Sequence, residues 1–431
     1  MEKIFIVGGT PLTGEIEIGG SKNDTLAIMA ATLLVPGVTL LRNVPRNSDV
    51  LNLLEIFRHI GVHAQWRSDN CLAIDASTVK TTEAPLELVQ KMRASFNILG
   101  ALLTRFGTAA VAMPGGCDIG ARPVNFHVRG LEQLGAVMTL EHGVYQGEVK
   151  RMTGTHIALD FPSAGATQHL MIAASLAKGR TVIENCAAEP EIVNLADFLN
   201  ACGADITGAG TAFITINGVE KLNPCEFRVL PDRLQVGTYA LAAAITGGDV
   251  MIRNAVYDHC RPVMMKLEEA GFLVLREGNN IRVKTTQPKI NPVHIRTSPH
   301  PGFPTDMQQV FAALLTLADG VSTVTETVYE SRFRYTTELQ KLGAEINVEG
   351  RTAIITGVKR LSGANVSCTD LRGGAALIIA GLAADGLTQV DELRHLDRGY
   401  DEMVSKLTGL GAHIERGTDR ISAGGLRVCS V

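Results

Sequence analysis

Residues 179–204 read GRTVIENCAAEPEIVNLADFLNACGA, and this stretch holds one period of the whole chain. Gly179 closes an Ala/Leu-rich segment, and Thr181-Val182-Ile183 follows as a short strand-like run. Ile192, Leu195, Leu199 and Cys202 then fall at i, i+3, i+7 and i+10, one face of an amphipathic helix. That helix ends in Cys202-Gly203-Ala204. Five other segments end the same way: Ile60-Gly61-Val62, Leu134-Gly135-Ala136, Ala270-Gly271-Phe272, Leu342-Gly343-Ala344 and Leu410-Gly411-Ala412. The glycine-to-glycine spacings are 74, 68, 68, 72 and 68 residues. Closing glycines recur upstream at 37, 107, 179, 247, 320 and 386, and lie 24, 28, 24, 24, 23 and 25 residues before the signature glycines. The second unit is the long one.

Each period predicts a helix that is apolar nearly all round, as over 375–384 and 310–318, and therefore buried. A glycine C-cap, a short strand such as 321–324, the amphipathic helix, and one or two strands such as 346–348 and 353–355 follow. Six such α/β units fit two domains of three. An open solenoid is the alternative, but helices buried on all sides need to meet inside a closed domain.

With 431 residues, 45% hydrophobic, 19% charged and a net charge of −4, the chain is neither disordered nor a general polyanion binder, so no nucleic-acid partner is expected. The longest apolar stretch, Leu26 to Leu41, is broken by Pro36 and Gly37, which argues against a membrane span. Met1-Glu2-Lys3 and its short apolar run lack the pattern of a signal peptide. Eight cysteines (71, 117, 186, 202, 225, 260, 368 and 429) are scattered with no C-x-x-C, as expected of a cytoplasmic protein without zinc or disulfides. His127, His169, His300 and His395 stand singly in sequence, so no metal is expected; all four read first as structural histidines.

Polar groups mark the start of every buried helix: Ser21-Lys22-Asn23, Arg93-Ala94-Ser95, Ser163 to Thr167, Asp232-Arg233, Thr305-Asp306 and Thr369 to Arg372. Free N–H groups and the positive dipole end favour anions there. Helix starts gathered on one face of each domain would form an anion-binding cleft, suited to a phosphorylated substrate. Ser, Thr and Asp are also ordinary N-caps, the preferred reading for Asp232 and Thr305. Lys22, Arg93 and Arg372 fit caps poorly. The long unit holds Pro114-Gly115-Gly116-Cys117-Asp118-Ile119-Gly120-Ala121-Arg122-Pro123, an exposed loop by composition. Its cysteine, five residues before an arginine, is either an acid or nucleophile with a shifted pKa or an inert thiol.

These segments, with Glu189-Pro190-Glu191-Ile192, Phe303-Pro304-Thr305-Asp306, Glu330-x-Arg332-Phe333, Asp370-Leu371-Arg372-Gly373-Gly374 and Asp397-Arg398-Gly399-Tyr400, resemble the enolpyruvyl transferases in order over essentially the whole chain. The cysteine loop resembles the branch acting on UDP-N-acetylglucosamine; the shikimate branch lacks it. The resemblance implies a two-domain inside-out α/β barrel, with three pseudo-symmetric repeats per domain around buried helices. It places the domains at 22–231, and at 1–21 plus 232–431, linked by two crossovers that let a cleft close. It implies transfer of enolpyruvyl from phosphoenolpyruvate to the 3′-hydroxyl of UDP-N-acetylglucosamine with release of phosphate, the first committed step of peptidoglycan synthesis. No cofactor is implied.

By matching position, Cys117 resembles the general acid, and a candidate for a transient adduct with phosphoenolpyruvate. Asp306 resembles the base on the sugar hydroxyl. Lys22, Arg122 and Arg398 resemble the phosphate and carboxylate clamp, with Arg93 near the diphosphate or phosphoenolpyruvate. Arg332, Asp370 and Arg372 line the cleft from the second domain; a surface or inter-domain ion pair is the alternative for the two arginines. The resemblance also implies that Asn23 contacts the sugar or the intermediate. Arg122, Pro123, Val124, Asn125, Phe126, Ser163, Ala164, Gly165 and Val328 fall where the family holds uridine and sugar, and His127 and His395 lie near these motifs. Three positions depart from the family: Asn125 for an aspartate, Asp24 for an alanine, and Phe161 where some members carry lysine. A different acceptor, such as shikimate 3-phosphate, and a non-catalytic UDP-sugar-binding paralogue remain as alternatives.

Overall fold

The computed structural model describes residues 2–115 and 124–418, so Cys117, Arg122 and Pro123 lie outside the described residues. The chain divides into two compact units. The first runs from Gly19 to Leu230; the second combines the segment through Ile18 with the chain from Pro231 onward. Each unit encloses one continuous apolar core.

Three helices form the middle of each core: Lys22–Thr32, Asn97–Phe106 and Ala164–Ala174 in the first unit, and Arg233–Ile245, Gln308–Leu315 and Leu371–Ala383 in the second. They are buried nearly all round, as their patterning requires. All eight residues of Gln308–Leu315 are buried, and a fully buried leucine such as Leu314 contributes about 1.5–3 kcal/mol. The amphipathic helices lie outside these. Pro190–Ala201 turns Ile192, Leu195 and Leu199 inward, and Cys202 follows as its C-cap.

Six sheets close the outside, five of four strands and one of three among the described residues. The four-stranded sheets share one plan: a short strand pairs parallel with the central strand, whose other edge carries two antiparallel strands. His156–Ala158, Arg180–Glu184, Phe213–Asn217 and Asp205–Thr207 show it, with Ile183 opposite Ile157 on one side and Ile214 on the other. In the long repeat a single bridge, Glu83 to Ala110, stands in for the parallel strand. Two N-terminal strands complete sheets of the second unit. Lys3–Val7 lies between Leu387–Asp391 and His413–Gly417, and Thr13–Glu17 pairs parallel with Asp249–Arg253. In the first unit Glu226–Arg228 returns to pair with Val38–Arg42.

The signature glycines 61, 135, 203, 271, 343 and 411 all have φ between 90° and 103°. There the chain leaves the amphipathic helix for the outer strand through a left-handed residue, which only glycine adopts without strain. The closing glycines also have positive φ, but the expectation of a glycine C-cap needs correcting. Only Gly107 occupies the cap itself, and Gly247 follows it directly. Elsewhere the cap is Leu33, Ser175, Thr316 or Ala384, and the glycine makes the later turn into the central strand.

Candidate active site

In the second unit, polar groups at the starts of the three core helices converge on one buried network. Asp232 Oδ1 caps one helix, accepting from the N–H groups of Leu234 (2.9 Å) and Gln235 (3.2 Å). Asp370 Oδ1 caps another, accepting from those of Arg372 and Gly373 (3.0 Å each). The third is entered through a 3-10 turn, Thr305–Met307, that holds Asp306. Two guanidiniums clamp this carboxylate: Arg332 Nη2 donates to Oδ1 at 2.7 Å and Arg372 Nε to Oδ2 at 3.3 Å. The arginine side chains are 3% exposed and that of Asp306 is 30% exposed. The anion is thus held from behind and reachable from solvent.

Burying two guanidiniums is costly unless every N–H finds a partner. Arg332 Nη1 donates to Thr305 Oγ1 (3.2 Å), and its Nε lies 2.7 Å from the side-chain amide of Gln309, which accepts when its oxygen is the atom turned toward the guanidinium. Thr305 Oγ1 in turn donates a hydrogen bond to Glu326 Oε2 (2.7 Å). Glu326 Oε1 accepts from Thr297 Oγ1 (2.9 Å) and from the Val328 N–H (2.7 Å), which anchors the Val328 segment beside Asp306. Arg372 Nη1 donates to Tyr400 Oη (3.0 Å), itself 2.8 Å from Thr238 Oγ1. Tyr329 and Tyr400 each set a ring centroid 5.3 Å from one guanidinium, a cation–π contact.

Burial opposes the Arg332 charge, but Asp306 and Asp370 outweigh it and raise its pKa. Burial likewise opposes that of Arg372; Tyr400, Asp306 and Asp232 push it up. Arg398 ends the 3-10 turn Leu396–Arg398 and is half-buried. The next residue, Gly399, brings this turn onto the Leu371–Ala383 helix, where a Cβ would sit 2.7 Å from Leu371 Cδ2. Asp306, Arg332, Asp370, Arg372, Val328 and the Arg398 turn therefore occupy one region of the second unit.

In the first unit, Ser21 caps the Lys22–Thr32 helix. Lys22 Nζ lies 3.3 Å from Asp49 Oδ2, with both side chains largely buried; Asn23 is half-buried. Arg93 opens a 3-10 turn, Arg93–Phe96, that runs into Asn97–Phe106. Ser163 caps Ala164–Ala174 by accepting from the Ala166 N–H (3.3 Å), and Ala164 and Gly165 form its first turn. Asn125–Gln133 packs against this helix; Val124 is buried, Asn125 exposed and Phe126 half-buried. Phe161 is 39% exposed, two residues before Ser163.

Several readings change. Arg332 and Arg372 are not surface pairs; both are buried on Asp306. Thr305 is not a helix cap, because its hydroxyl joins Arg332 to Glu326. Asp24 stands in the first turn of the Lys22–Thr32 helix, whose cap is Ser21; it is wholly buried, and its Oδ2 accepts from Asn194 Nδ2 (2.6 Å) and the Leu230 N–H (2.9 Å), fastening the helix start to the last residue of the unit. His127 and His169 do not stand singly, for their Nδ1 atoms are 2.8 Å apart. Glu326, Gln309 and Asp49 gave no sequence signal, since their partners are distant in the chain. His169 did give one, as an imidazole inside an apolar helix. Among the described cysteines, burial pushes the thiols of Cys186, Cys260 and Cys368 up to about 12. They are poor nucleophiles.

A family model described as EPSP synthase (3-phosphoshikimate 1-carboxyvinyltransferase) matches residues 6–407. The chain belongs to this family of enolpyruvyl transferases. Within it, the chain is 48% identical over 416 residues to UDP-N-acetylglucosamine 1-carboxyvinyltransferase 3 of Caldanaerobacter subterraneus subsp. tengcongensis, covering 96% of this chain and 99% of the relative. It is 48% identical over 418 residues to UDP-N-acetylglucosamine 1-carboxyvinyltransferase 1 of Halalkalibacterium halodurans, covering 96% and 94%. Among solved structures, the enolpyruvyl transferase NikO from Streptomyces tendae superimposes with a TM-score of 0.88 at 25% identity, covering 97% and 99%. EPSP synthase from Acinetobacter baumannii, at 18% identity and a TM-score of 0.77 over 97% and 100%, shares the fold. The inside-out α/β barrel architecture of six repeats is thus that of the family. Among the described residues no helix is long and apolar enough to cross a membrane.

Proposed function

We propose that this chain transfers the enolpyruvyl group of phosphoenolpyruvate to the 3′-hydroxyl of UDP-N-acetylglucosamine, releasing phosphate, as the first committed step of peptidoglycan synthesis in the cytoplasm. The observation that carries the reading is near-full-length identity of 48% to relatives named for that reaction. The chemistry requires protonation of the enol phosphate at its methylene carbon while the hydroxyl, giving up its proton, attacks C2. The tetrahedral adduct then loses phosphate from C2 and a proton from the new methyl group, which restores the double bond in the enolpyruvyl product. Asp306, fixed by two arginines yet open on one side, suits the base that takes the hydroxyl proton. Cys117 is assigned the acid for the methylene carbon, as a position in sequence outside the described residues. Lys22, Arg122 and Arg398 are assigned to the phosphate and carboxylate, and Arg93 to the diphosphate or phosphoenolpyruvate. Arginine and lysine offer fixed donors to oxyanions. Asn23, Pro123, Val124, Asn125, Phe126, Ser163, Ala164, Gly165 and Val328 are assigned to the sugar nucleotide. Asn125 keeps an acceptor for the base and adds a donor. Asp370 and Arg332 hold the Asp306–Arg372 pair in place.

The test is phosphate release from phosphoenolpyruvate with UDP-N-acetylglucosamine, with shikimate 3-phosphate, and with neither. Release that depends on the UDP-sugar and is abolished by fosfomycin supports the acceptor and the thiol together. Release with shikimate 3-phosphate alone changes the acceptor; sugar-nucleotide binding without release indicates a non-catalytic paralogue. Cys117→Ser is expected to lose turnover or trap an intermediate while still binding UDP-N-acetylglucosamine. Full activity of that variant would remove Cys117 from the mechanism.

A further inference from the structure

Two thiols of the first unit lie side by side, and the reaction proposed above uses neither. Cys202 Sγ is 3.4 Å from Cys225 Sγ, and both thiols are free. They come from different elements. Cys202 is the C-cap of Pro190–Ala201 and is buried. Cys225 is half-buried and stands directly before Glu226–Arg228, the strand that returns to pair with Val38–Arg42. Two further contacts hold these segments together. The Asn223 N–H donates to the Cys202 carbonyl oxygen (2.8 Å), and Phe198 meets Phe227 edge-on, with ring centroids 5.4 Å apart at 72°. On its other side, the Cys225 carbonyl oxygen accepts from the Leu40 N–H (3.0 Å).

This placement divides the chemistry between the two sulfurs. The buried Cys202 keeps its proton: its hydrogen bond to Cys225 raises its pKa, and burial adds to that. The same hydrogen bond lowers the pKa of Cys225, against the opposing effect of burial. The half-buried sulfur thus has the greater thiolate character, and the thiolate is the form that reacts. Cys186 and Cys260 differ, because their S–H groups donate to the backbone carbonyls of Ile183 (3.1 Å) and Tyr257 (3.4 Å). Cys202 and Cys225 need to approach by only about 1.4 Å to reach a covalent separation.

We infer that Cys202 and Cys225 form a reversible redox pair, which peroxide converts to a disulfide that staples the return strand to the C-terminus of the Pro190–Ala201 helix. The Cys225 thiolate attacks one peroxide oxygen. The O–O bond breaks, and the departing hydroxide takes up a proton to become water. The Cys202 sulfur then attacks the sulfenic acid at Cys225 and gives up its own proton. The S–S bond forms, the S–O bond breaks, and a second water leaves. The two thiols together lose two electrons, and the peroxide gains them. A dithiol reductant reverses the change by exchange. The bond joins positions 23 residues apart, which restricts the unfolded chain and stabilises this unit. The pair stands independently of the reaction proposed above.

The experiment treats the native full chain with hydrogen peroxide at neutral pH, alkylates the remaining thiols and maps the tryptic peptides by mass spectrometry. Cleavage at Arg180, Lys221 and Arg228 separates residues 181–221 from 222–228. The disulfide is expected as a linked pair of these peptides that dithiothreitol splits. Fragmentation distinguishes Cys202 from Cys186, the other cysteine of the longer peptide. The single tryptophan of the chain, Trp66, packs against the core of the first unit, so its fluorescence follows that unit in urea. The urea midpoint should rise by about 1 M on oxidation and return on reduction. Cys225→Ser should leave Cys202 unoxidised. Cys202→Ser should halt the oxidation at Cys225 as a sulfenic acid that dimedone traps. Both variants should lose the midpoint shift. Free thiols at both positions after peroxide, a sulfenic acid at Cys225 that never closes in the unaltered chain, or a disulfide that leaves the midpoint unchanged each overturns the inference.

Discussion

As the proposed base, Asp306 has to meet two demands that usually conflict at a single residue. A base must keep lone pairs open to its substrate, and it must be held in a fixed orientation. The paired guanidiniums of Arg332 and Arg372 supply the orientation from the buried side, leaving 30% of the side chain exposed. Asp306→Ala is expected to lower kcat by about 100-fold or more in the phosphate-release assay. A change below about threefold, equivalent to about 0.7 kcal/mol, would show that another group takes the proton. His169 supports a prediction about acid. Burial lowers its pKa from 6.5 to about 3, so the native ring stays neutral where the unfolded ring takes up a proton. The stabilisation is complete above pH 6.5 and drains away as pH falls toward 3, because the unfolded state binds the extra proton. Urea midpoints between pH 7 and 4 should therefore fall more steeply for the unaltered chain than for His169→Asn. Parallel slopes would mean that the ring is protonated in the native state.

At the scale of the element, the glycine that ends each amphipathic helix separates conformational strain from steric collision. Gly343 has φ of 92° and open space around a would-be Cβ; Gly61 has φ of 90° but would set a Cβ 2.9 Å from the Thr78 carbonyl oxygen. Gly343→Ala should cost about 1–2 kcal/mol of strain, and Gly61→Ala measurably more, when both are compared by denaturant unfolding. Equal costs would mean that the Thr78 turn moves aside freely. These glycines also explain what was legible. A φ near +90° leaves one acceptable residue type, so six copies of the turn wrote six glycines at nearly constant spacing, and the repeat could be read from them. Arg332, Arg372 and Asp306 were legible as family positions and charged helix starts. That Arg332 is buried, and that Glu326 and Thr305 complete its hydrogen bonds, was not. Those contacts join segments more than twenty residues apart, and no local pattern encodes such a pairing. The direction of the Asp24 side chain escaped for the same reason, its partners being Asn194 and Leu230.

Over the whole molecule, the two units bury separate cores that share no residue. Leu377, fully buried in the second unit, tests how far that separation goes. Leu377→Ala should destabilise its own unit by about 2–5 kcal/mol. In native-state hydrogen exchange, the amides of Leu371–Ala383 should lose protection while those of Ala164–Ala174 keep theirs. Loss of protection in both would show that the cores open as a single cooperative body.

The placement of Lys3–Val7 carries a consequence for synthesis on the ribosome. Its hydrogen-bond partners, Leu387–Asp391 and His413–Gly417, emerge roughly 400 residues later, about 20–80 s at ordinary elongation rates. The Gly19–Leu230 unit is complete well before then, so it can close while the opening strand is still waiting for both of its neighbours. Synthesis thus runs from the inserted part outward. This strand is made long before both of its partners, and throughout that interval its apolar residues Ile4, Phe5 and Ile6 lack the neighbours that bury them.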